Sequence, residues 1–350
     1  YLPNYIKKDL QFMSLSTAIK NIHYPNSIEE YQEARRRLAF DEFFVLQLAV
    51  LMKKLSLKAE NHVLGLNIDS TKINKFIDLL PFRLTDSQNV VIKEILNDLT
   101  SQSVMNRLLQ GDVGSGKTVV ALVAALAVVF DGYQAAFMAP TEILAQQHYA
   151  TLSKLFSFGH IIERQETHIV LSLPGFDKTI TMGILIGSMK KSSKKKIVEK
   201  LYKKEINIVV GTHALIQDDV DIPNMGLAVV DEQHRFGVEQ RATLRNKSNN
   251  SHMLVMSATP IPRSLNLTVY GDLDISVLNE LPEGRKEIKT VFINDEDKIK
   301  AYEFTRQQVE KGRQAFVLCP LIEESEILQT KAATEEYEKL VTDIYPEFNV

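Results

Sequence analysis

The chain reads as an α/β protein: a parallel β-sheet with helices on both faces, preceded by a helical segment and followed by the start of a second α/β unit. Three observations predict this. After about residue 100, short β-branched or apolar runs alternate with longer helical patterns, the signature of βαβ units. A glycine-studded loop, Gly111 to Thr118 in "GDVGSGKT", opens directly onto the apolar run 119–130. Each strand-like run ends in polar, Gly or Pro residues, which places ligand-facing groups beyond the carboxyl ends of the strands.

Bulk composition narrows the class. The chain has 350 residues, 45% hydrophobic and 24% charged, an ordinary globular balance that can bury a sizeable core. Its 41 basic and 44 acidic residues give a net charge of -3, so no whole-chain basic footprint points to nucleic acid and any such contact must be local. One cysteine, Cys319, excludes an intramolecular disulfide and a multi-cysteine zinc cluster and fits a reducing, cytoplasmic setting. Within "AFVLCP" it reads as an inert core thiol. The run 119–130 falls short of the ~20 residues needed to span a bilayer, so a buried helix is expected and no membrane partner. The opening "YLPNYIKKDL" has neither an initiator Met nor an apolar signal core, and reads as the start of a piece of a longer protein.

Residues 1–75 carry helical patterns and no strand run. Within them, "SIEEYQEARRRLAFDEFFVLQLAVLMKKL" has an acidic start and apolar positions at Leu38, Phe43, Phe44, Leu46, Leu48, Val50 and Leu51, as an amphipathic helix or helical pair. Thr85 and Gln88 in "LPFRLTDSQNVVIKEILNDL" match a capping box, so a helix should begin at Asp86, with Val91, Ile92, Ile95, Leu96 and Leu99 on one face. Strands are expected at "AAFMAP" (135–140), "TMGILI" (181–186), "INIVVGT" (206–212), "GLAVVDE" (226–232) and "HMLVMSATP" (252–260). "LPEGRKEIK" is linker-like punctuation. It is followed by strand runs "IKTVFI" and "QAFVLCP" on either side of a helix, "KIKAYEFTRQQVEKG". The expected division is therefore 1–75 helical, 76–282 the first α/β domain and 283–350 an incomplete second one.

The chemistry begins at the loop. The spacing G-x-x-x-x-G-K-[ST] lets successive N–H groups of Gly111, Asp112, Val113, Gly114, Ser115 and Gly116 turn toward a phosphate, with the positive end of the following helix behind them. Lys117 would neutralise β- and γ-phosphates and the Thr118 hydroxyl would bind Mg2+. The apolar run is the buried helix that aims its N-terminus at them. In "LAVVDEQH", Asp231 and Glu232 sit at a strand's carboxyl end, where one can hold Mg2+ and the other polarise water.

Other polar groups carry two readings each. Ser257 and Thr259 in "SATP" either sense the γ-phosphate or form a serine/threonine turn before Pro260. Thr141 and Thr212 end strands and either meet a nucleic-acid backbone or cap helices. Eight Lys in "KKSSKKKIVEKLYKK" (190–204) either track phosphates or face solvent. Phe82 and Gln88 lie where a base could stack and hydrogen-bond, though Gln88 already serves the capping box.

In order and spacing, GDVGSGKT, PTEILAQQH, GTHAL, DEQH and SATP resemble the motor core of superfamily 2 helicases and translocases. "PFRLTDSQ", "VVDEQHRFGVEQR", "YGDLDIS", "ELPEGRK" and "CPLIEESE" are similar to the bacterial RecG family, ATP-dependent remodellers of branched DNA. The resemblance covers most of residues 30–335. It implies RecA-like domains, ATP and Mg2+ as cofactors, branched double-stranded DNA as partner, a monomer, and roles in recombination and repair. By resemblance, Gly111 to Thr118 bind ATP and Thr118 and Asp231 hold Mg2+. Glu232 orients water, and Gln233 and His234 couple that site to Ser257, Ala258 and Thr259. Phe82 and Gln88 take the adenine. Thr141, Gln147, Thr212 and His213 lie against DNA.

Three departures accompany it. The chain stops at "YPEFNV", before the family's remaining motifs and their arginine finger, so nucleotide binding with poor hydrolysis is expected. The wedge domain that splits junctions would precede Tyr1. The segment 157–181 is longer than the family's usual connection and has no functional reading. The competing class is a nucleotide-binding switch without turnover; a small-molecule kinase leaves "SATP" and "GTHAL" without a task.

Overall fold

A computed structural model describes residues 2–59, 65–231, 251–259, 273–280, 288–294, 297–319 and 333–350. The chain divides into two compact units, 1–285 and 286–350. No helix among the described residues is long and apolar enough to cross a membrane.

In the first unit, helices α1 (Asn4–Asp9), α2 (Leu15–His23), α3 (Ile28–Ala59) and α4 (Ser70–Asp78) precede any strand. The expected helix or helical pair is thus one helix, α3, against which α2 packs. α5 (Asp86–Leu99) begins where the capping box places it: Gln88 N donates to Thr85 Oγ1, and Thr85 N donates to Gln88 Oε1.

The sheet holds β1 (Asn106–Gly111), β2 (Gln134–Met138), β3 (His160–Arg164), β4 (His168–Ser172), β5 (Thr179–Leu185), β6 (Ile208–Gly211), β7 (Met225–Asp231), β8 (His252–Ser257) and β9 (Asp274–Leu278). Their order is β3-β4-β5-β6-β2-β7-β8-β1-β9. The helices between them are α6 (Lys117–Phe130), α7 (Glu142–Leu155) and α8 (Lys191–Tyr202).

Strand side chains alternate between two cores, as the period of two requires. Ala135, Phe137, Leu227 and Val229 enter the core shared with α5, α6 and α7. Their neighbours Ala136, Met138, Ala228 and Val230 enter the opposite core with Ile197 and Leu201 of α8. The sheet is therefore covered on both faces, which is why its strands read as continuous apolar runs. Residues 119–129 of α6 are all buried, the expected state of a helix apolar all round.

Two features of the sheet differ from the sequence expectation. The sheet is not uniformly parallel: β4 pairs antiparallel with both β3 and β5. The long segment 157–181 builds this extension: β3, an edge strand exposed along its whole length, and β4, mostly buried between β3 and β5, neither announced by strong alternation. β9, parallel to β1, was not expected as a strand; Asp274 and Ser276 interrupt its apolar pattern.

In the second unit, "IKTVFI" and "QAFVLCP" were expected as strands, yet residues 288–294 and 313–319 carry no strand. Phe292 is 92% exposed and Leu318 93%. Strand propensity needs partners to bond with, and an isolated pair is marginal in water. Cys319 is accordingly half-buried, not a core thiol. The helix between these runs does form, α9 (Lys298–Glu310), and α10 (Ala333–Lys339) continues into a π-helical turn, Leu340–Ile344.

The β1–β9 edge is tied to α5 by one cation. Arg107 Nε donates to Asp98 Oδ2 at 2.7 Å, and its Nη1 reaches Glu94 Oε2 at 3.2 Å and Ser276 Oγ at 2.7 Å. Removing a mostly buried cation strands its partners. Arg107→Ala is expected to cost about 2 kcal/mol, discounted because Glu94 faces solvent, and urea unfolding of the variant would show it.

Candidate nucleotide site at the strand-end rim

β1, β2, β6, β7 and β8 run parallel, so their carboxyl ends share one rim. The phosphate loop follows β1 and closes onto α6. Gly114 and Gly116 take φ of +81° and +89°, left-handed values that favour glycine. Gly116 is also the N-cap of α6. Ser115 N donates to Asp112 O at 3.1 Å, closing the turn. Lys117 Nζ donates to Gly111 O at 2.8 Å and to Asp112 O at 3.0 Å, which fixes the ammonium against the loop.

Gln88 locks the loop from α5. Its Nε2 donates to Ser115 O at 2.8 Å while its Oε1 accepts from Thr85 N at 3.0 Å. One buried amide thereby ties the start of α5 to the turn that presents N–H groups. A Cβ at Gly116 would stand 2.2 Å from Gln88 Nε2, where both the space and the φ exclude it. Gly116→Ala is expected to weaken binding of an ATP analogue at least ~10-fold while leaving the far-UV spectrum unchanged; fluorescence titration checks it.

A cleft of about 980 Å³ runs from this loop past Gln88 and Thr85 to Phe82, walled also by Thr151 and Glu280. Its size suits a nucleotide. Phe82 presents a partly exposed ring there, and Thr118 lies in the first turn of α6 at its wall. Glu280 Oε2 accepts from Ser87 N at 3.0 Å, and this backbone bond holds its carboxyl below the usual range. Glu280 belongs to the site and was not picked from sequence, because its partner is 193 positions away. A smaller cavity, about 370 Å³, lies at the other end of α6 between Lys75, Phe130 and Phe176. It holds none of the loop residues.

Asp231 ends β7 on the same rim. It aligns with Met256 of β8, and the next β8 residue, Ser257, aligns with Gln110 of β1. Only β8 separates Asp231's strand from the phosphate-loop strand, a span of roughly 10 Å. His148 of α7 reaches this carboxylate, Nε2 to Oδ2 at 2.6 Å. Sequence alone does not reveal this contact, although His148 ends the segment "PTEILAQQH". Glu232, Gln233 and His234 lie outside the described residues.

The "SATP" hydroxyls do form a local turn: Ser257 Oγ and Thr259 Oγ1 are 2.9 Å apart, and Thr259 N donates to Ser257 Oγ at 3.2 Å. Thr259 O also accepts from Gln110 Nε2 at 3.1 Å, which links the turn containing Ala258 to the residue just before the phosphate loop. Thr141 caps α7, accepting from Leu144 N at 3.3 Å. Gln147 and His213 are exposed, whereas Thr212 is buried, 7% exposed. The lysine run forms the outer face of α8, with Ile197 and Leu201 turned inward. The turn just before α8 is tied to α7 by Glu142, which accepts from Ser188 N at 2.8 Å.

No group of three or more His, Cys, Asp or Glu that could hold a metal occurs among the described residues. A site of one carboxylate plus a hydroxyl is the kind completed by phosphate oxygens and water, which suits Mg2+.

The DEAD/DEAH box helicase family matches residues 85–268, from the α5 cap past β8. The ATP-dependent DNA helicase RecG of Synechocystis sp. is 46% identical over 349 residues, 100% of this chain and 40% of that protein. The namesake helicase of Thermotoga maritima is 45% identical over 350 residues, 100% of this chain and 42% of its own length. Among solved structures, RecG bound to a three-way DNA junction superposes with a TM-score of 0.78 at 41% identity, covering 97% of this chain and 42% of that one. The chain thus spans about two fifths of the length of these relatives.

Proposed function

Because the chain belongs to the DEAD/DEAH box helicase family, we propose that it is the ATP-binding motor segment of a helicase that remodels branched double-stranded DNA in recombination and repair. The relatives named RecG, 45% and 46% identical along this entire chain, support that choice over other helicases. The observation that carries it is the shared rim: a phosphate loop locked by Gln88, a nucleotide-sized cleft ending at Phe82, and Asp231 one strand beyond the neighbouring β8.

In this reading the adenine lies between Phe82 and Gln88, whose amide still has one N–H and one lone pair to offer after its two protein bonds. The N–H groups from Gly111 to Gly116 cradle the phosphates, and Lys117 neutralises their charge. Thr118 and Asp231 hold Mg2+, which would supply charge stabilisation to the leaving phosphates. Glu232 orients the attacking water. Gln233 and His234 act with Ser257, Ala258 and Thr259 to pass the state of the phosphates to the rim; the Gln110 to Thr259 bond is one route for it. Thr141, Gln147 and His213 meet the DNA backbone. Thr212, being buried, contributes through the backbone of its turn.

Residues 1–75 would connect a wedge domain to the motor, 76–282 form its first RecA-like domain and 283–350 belong to the second. An arginine finger stabilises such transition states by about 10³ to 10⁵ in rate. In this reading the 350-residue chain by itself turns ATP over slowly, as a monomer.

Steady-state ATP hydrolysis, with and without a three-way DNA junction, tests this on the 350-residue chain and on the longer parent protein. Weak turnover by the chain and strong DNA-stimulated turnover by the parent are expected. Nucleotide binding with no turnover in either would establish a switch instead of a motor.

A further inference from the structure

The bond between His148 and Asp231 has no part in the roles above. It joins two elements that no strand pairing brings together: α7, which starts at the capped Thr141, and the carboxyl end of β7. Nε2 and Oδ2 are 2.6 Å apart, and both side chains are 15% exposed. A bond this short, largely shielded from water, restricts rotation of the carboxylate about its last torsion. It commits Oδ2 to the imidazole.

The position of His148 is itself well determined. Ala145 and Leu152, on either side of it along α7, are buried. Thr141 fixes the helix start through Leu144 N, and Glu142 holds the neighbouring turn through Ser188 N. An imidazole presented from a packed helix is a stiffer donor than one from a loop, and donors behind a ligating carboxylate typically change metal affinity 10- to 100-fold.

We propose that His148 is a positioning residue, which orients the Asp231 carboxylate so that its other oxygen is presented to Mg2+ beside the phosphate loop. This rests on the reading of Asp231 as an Mg2+ ligand.

The test is a binding measurement and needs no turnover. Binding of a fluorescent ATP analogue to the 350-residue chain is titrated with Mg2+ for the unmodified protein and for His148→Phe, His148→Gln and Asp231→Ala. His148→Phe keeps the ring volume and removes the donor; His148→Gln restores an N–H at similar reach. The Mg2+ concentration giving half of the metal-dependent rise in affinity is expected to increase about 10-fold or more in His148→Phe and to return most of the way in His148→Gln. Affinity in excess EDTA should be the same for the unmodified protein and both His148 variants. Asp231→Ala should abolish the metal-dependent rise. If it does not, the Mg2+ assignment of Asp231 fails. If it does, while His148→Phe leaves the midpoint unmoved or His148→Gln fails to restore it, the positioning role of His148 is overturned.

Discussion

Replacing Lys117 with alanine is expected to reduce ATP hydrolysis by at least ~100-fold, the scale on which removal of one preorganised charge at a phosphoryl site is felt. The ammonium is held by Gly111 O and Asp112 O at the first turn of α6, so it is already placed where the β- and γ-phosphates would lie. Alanine is a good helix former and leaves the turn intact. The fold should therefore persist, with urea midpoint and far-UV spectrum close to those of the unmodified chain. A steady-state hydrolysis assay beside an unfolding curve separates the two effects. Comparable losses in both would mean that Lys117 is structural.

The second large effect is expected in the core. Leu122 is fully buried at the middle of α6, the helix that joins the phosphate loop to the centre of the sheet. α4, α5 and α7 all pack on that helix. Leu122→Ala removes buried methylene groups and leaves a void, at a cost of about 2–5 kcal/mol. Because the same helix sets the direction of the loop's N–H groups, nucleotide affinity should fall along with stability. Urea unfolding monitored with and without an ATP analogue would show both. A change well under 1 kcal/mol would mean that the region relaxes around the cavity.

Local signals were readable in sequence. The capping box at Thr85 and Gln88 specified the start of α5 because both partners lie within one turn. The run 119–130 specified a buried helix because no exposed helix is apolar all round. The strands β2, β5, β6, β7 and β8 announced themselves because they are covered on both faces. Edge strands were not readable in this way. β3 is exposed along its whole length, and β9 alternates apolar with polar positions that bond elsewhere, such as Ser276 with Arg107.

"IKTVFI" and "QAFVLCP" failed in the opposite direction: strong strand propensity without the neighbours that make a strand. In the site, the phosphate loop and Asp231 were legible from residue type and spacing. His148, Glu280 and the bond from Gln88 to Ser115 were not, since each joins elements far apart in the chain and only the fold brings them together.

The most direct measurement is a crystal structure of the protein with Mg2+ and a non-hydrolysable ATP analogue. The analogue should occupy the cleft between Phe82 and Lys117, with one ion held at about 2.1 Å by Thr118 Oγ1 and reached by Asp231 directly or through one water. A nucleotide bound instead in the cavity beside Lys75 and Phe176, or an ion that neither Thr118 nor Asp231 approaches, would contradict the motor assignment.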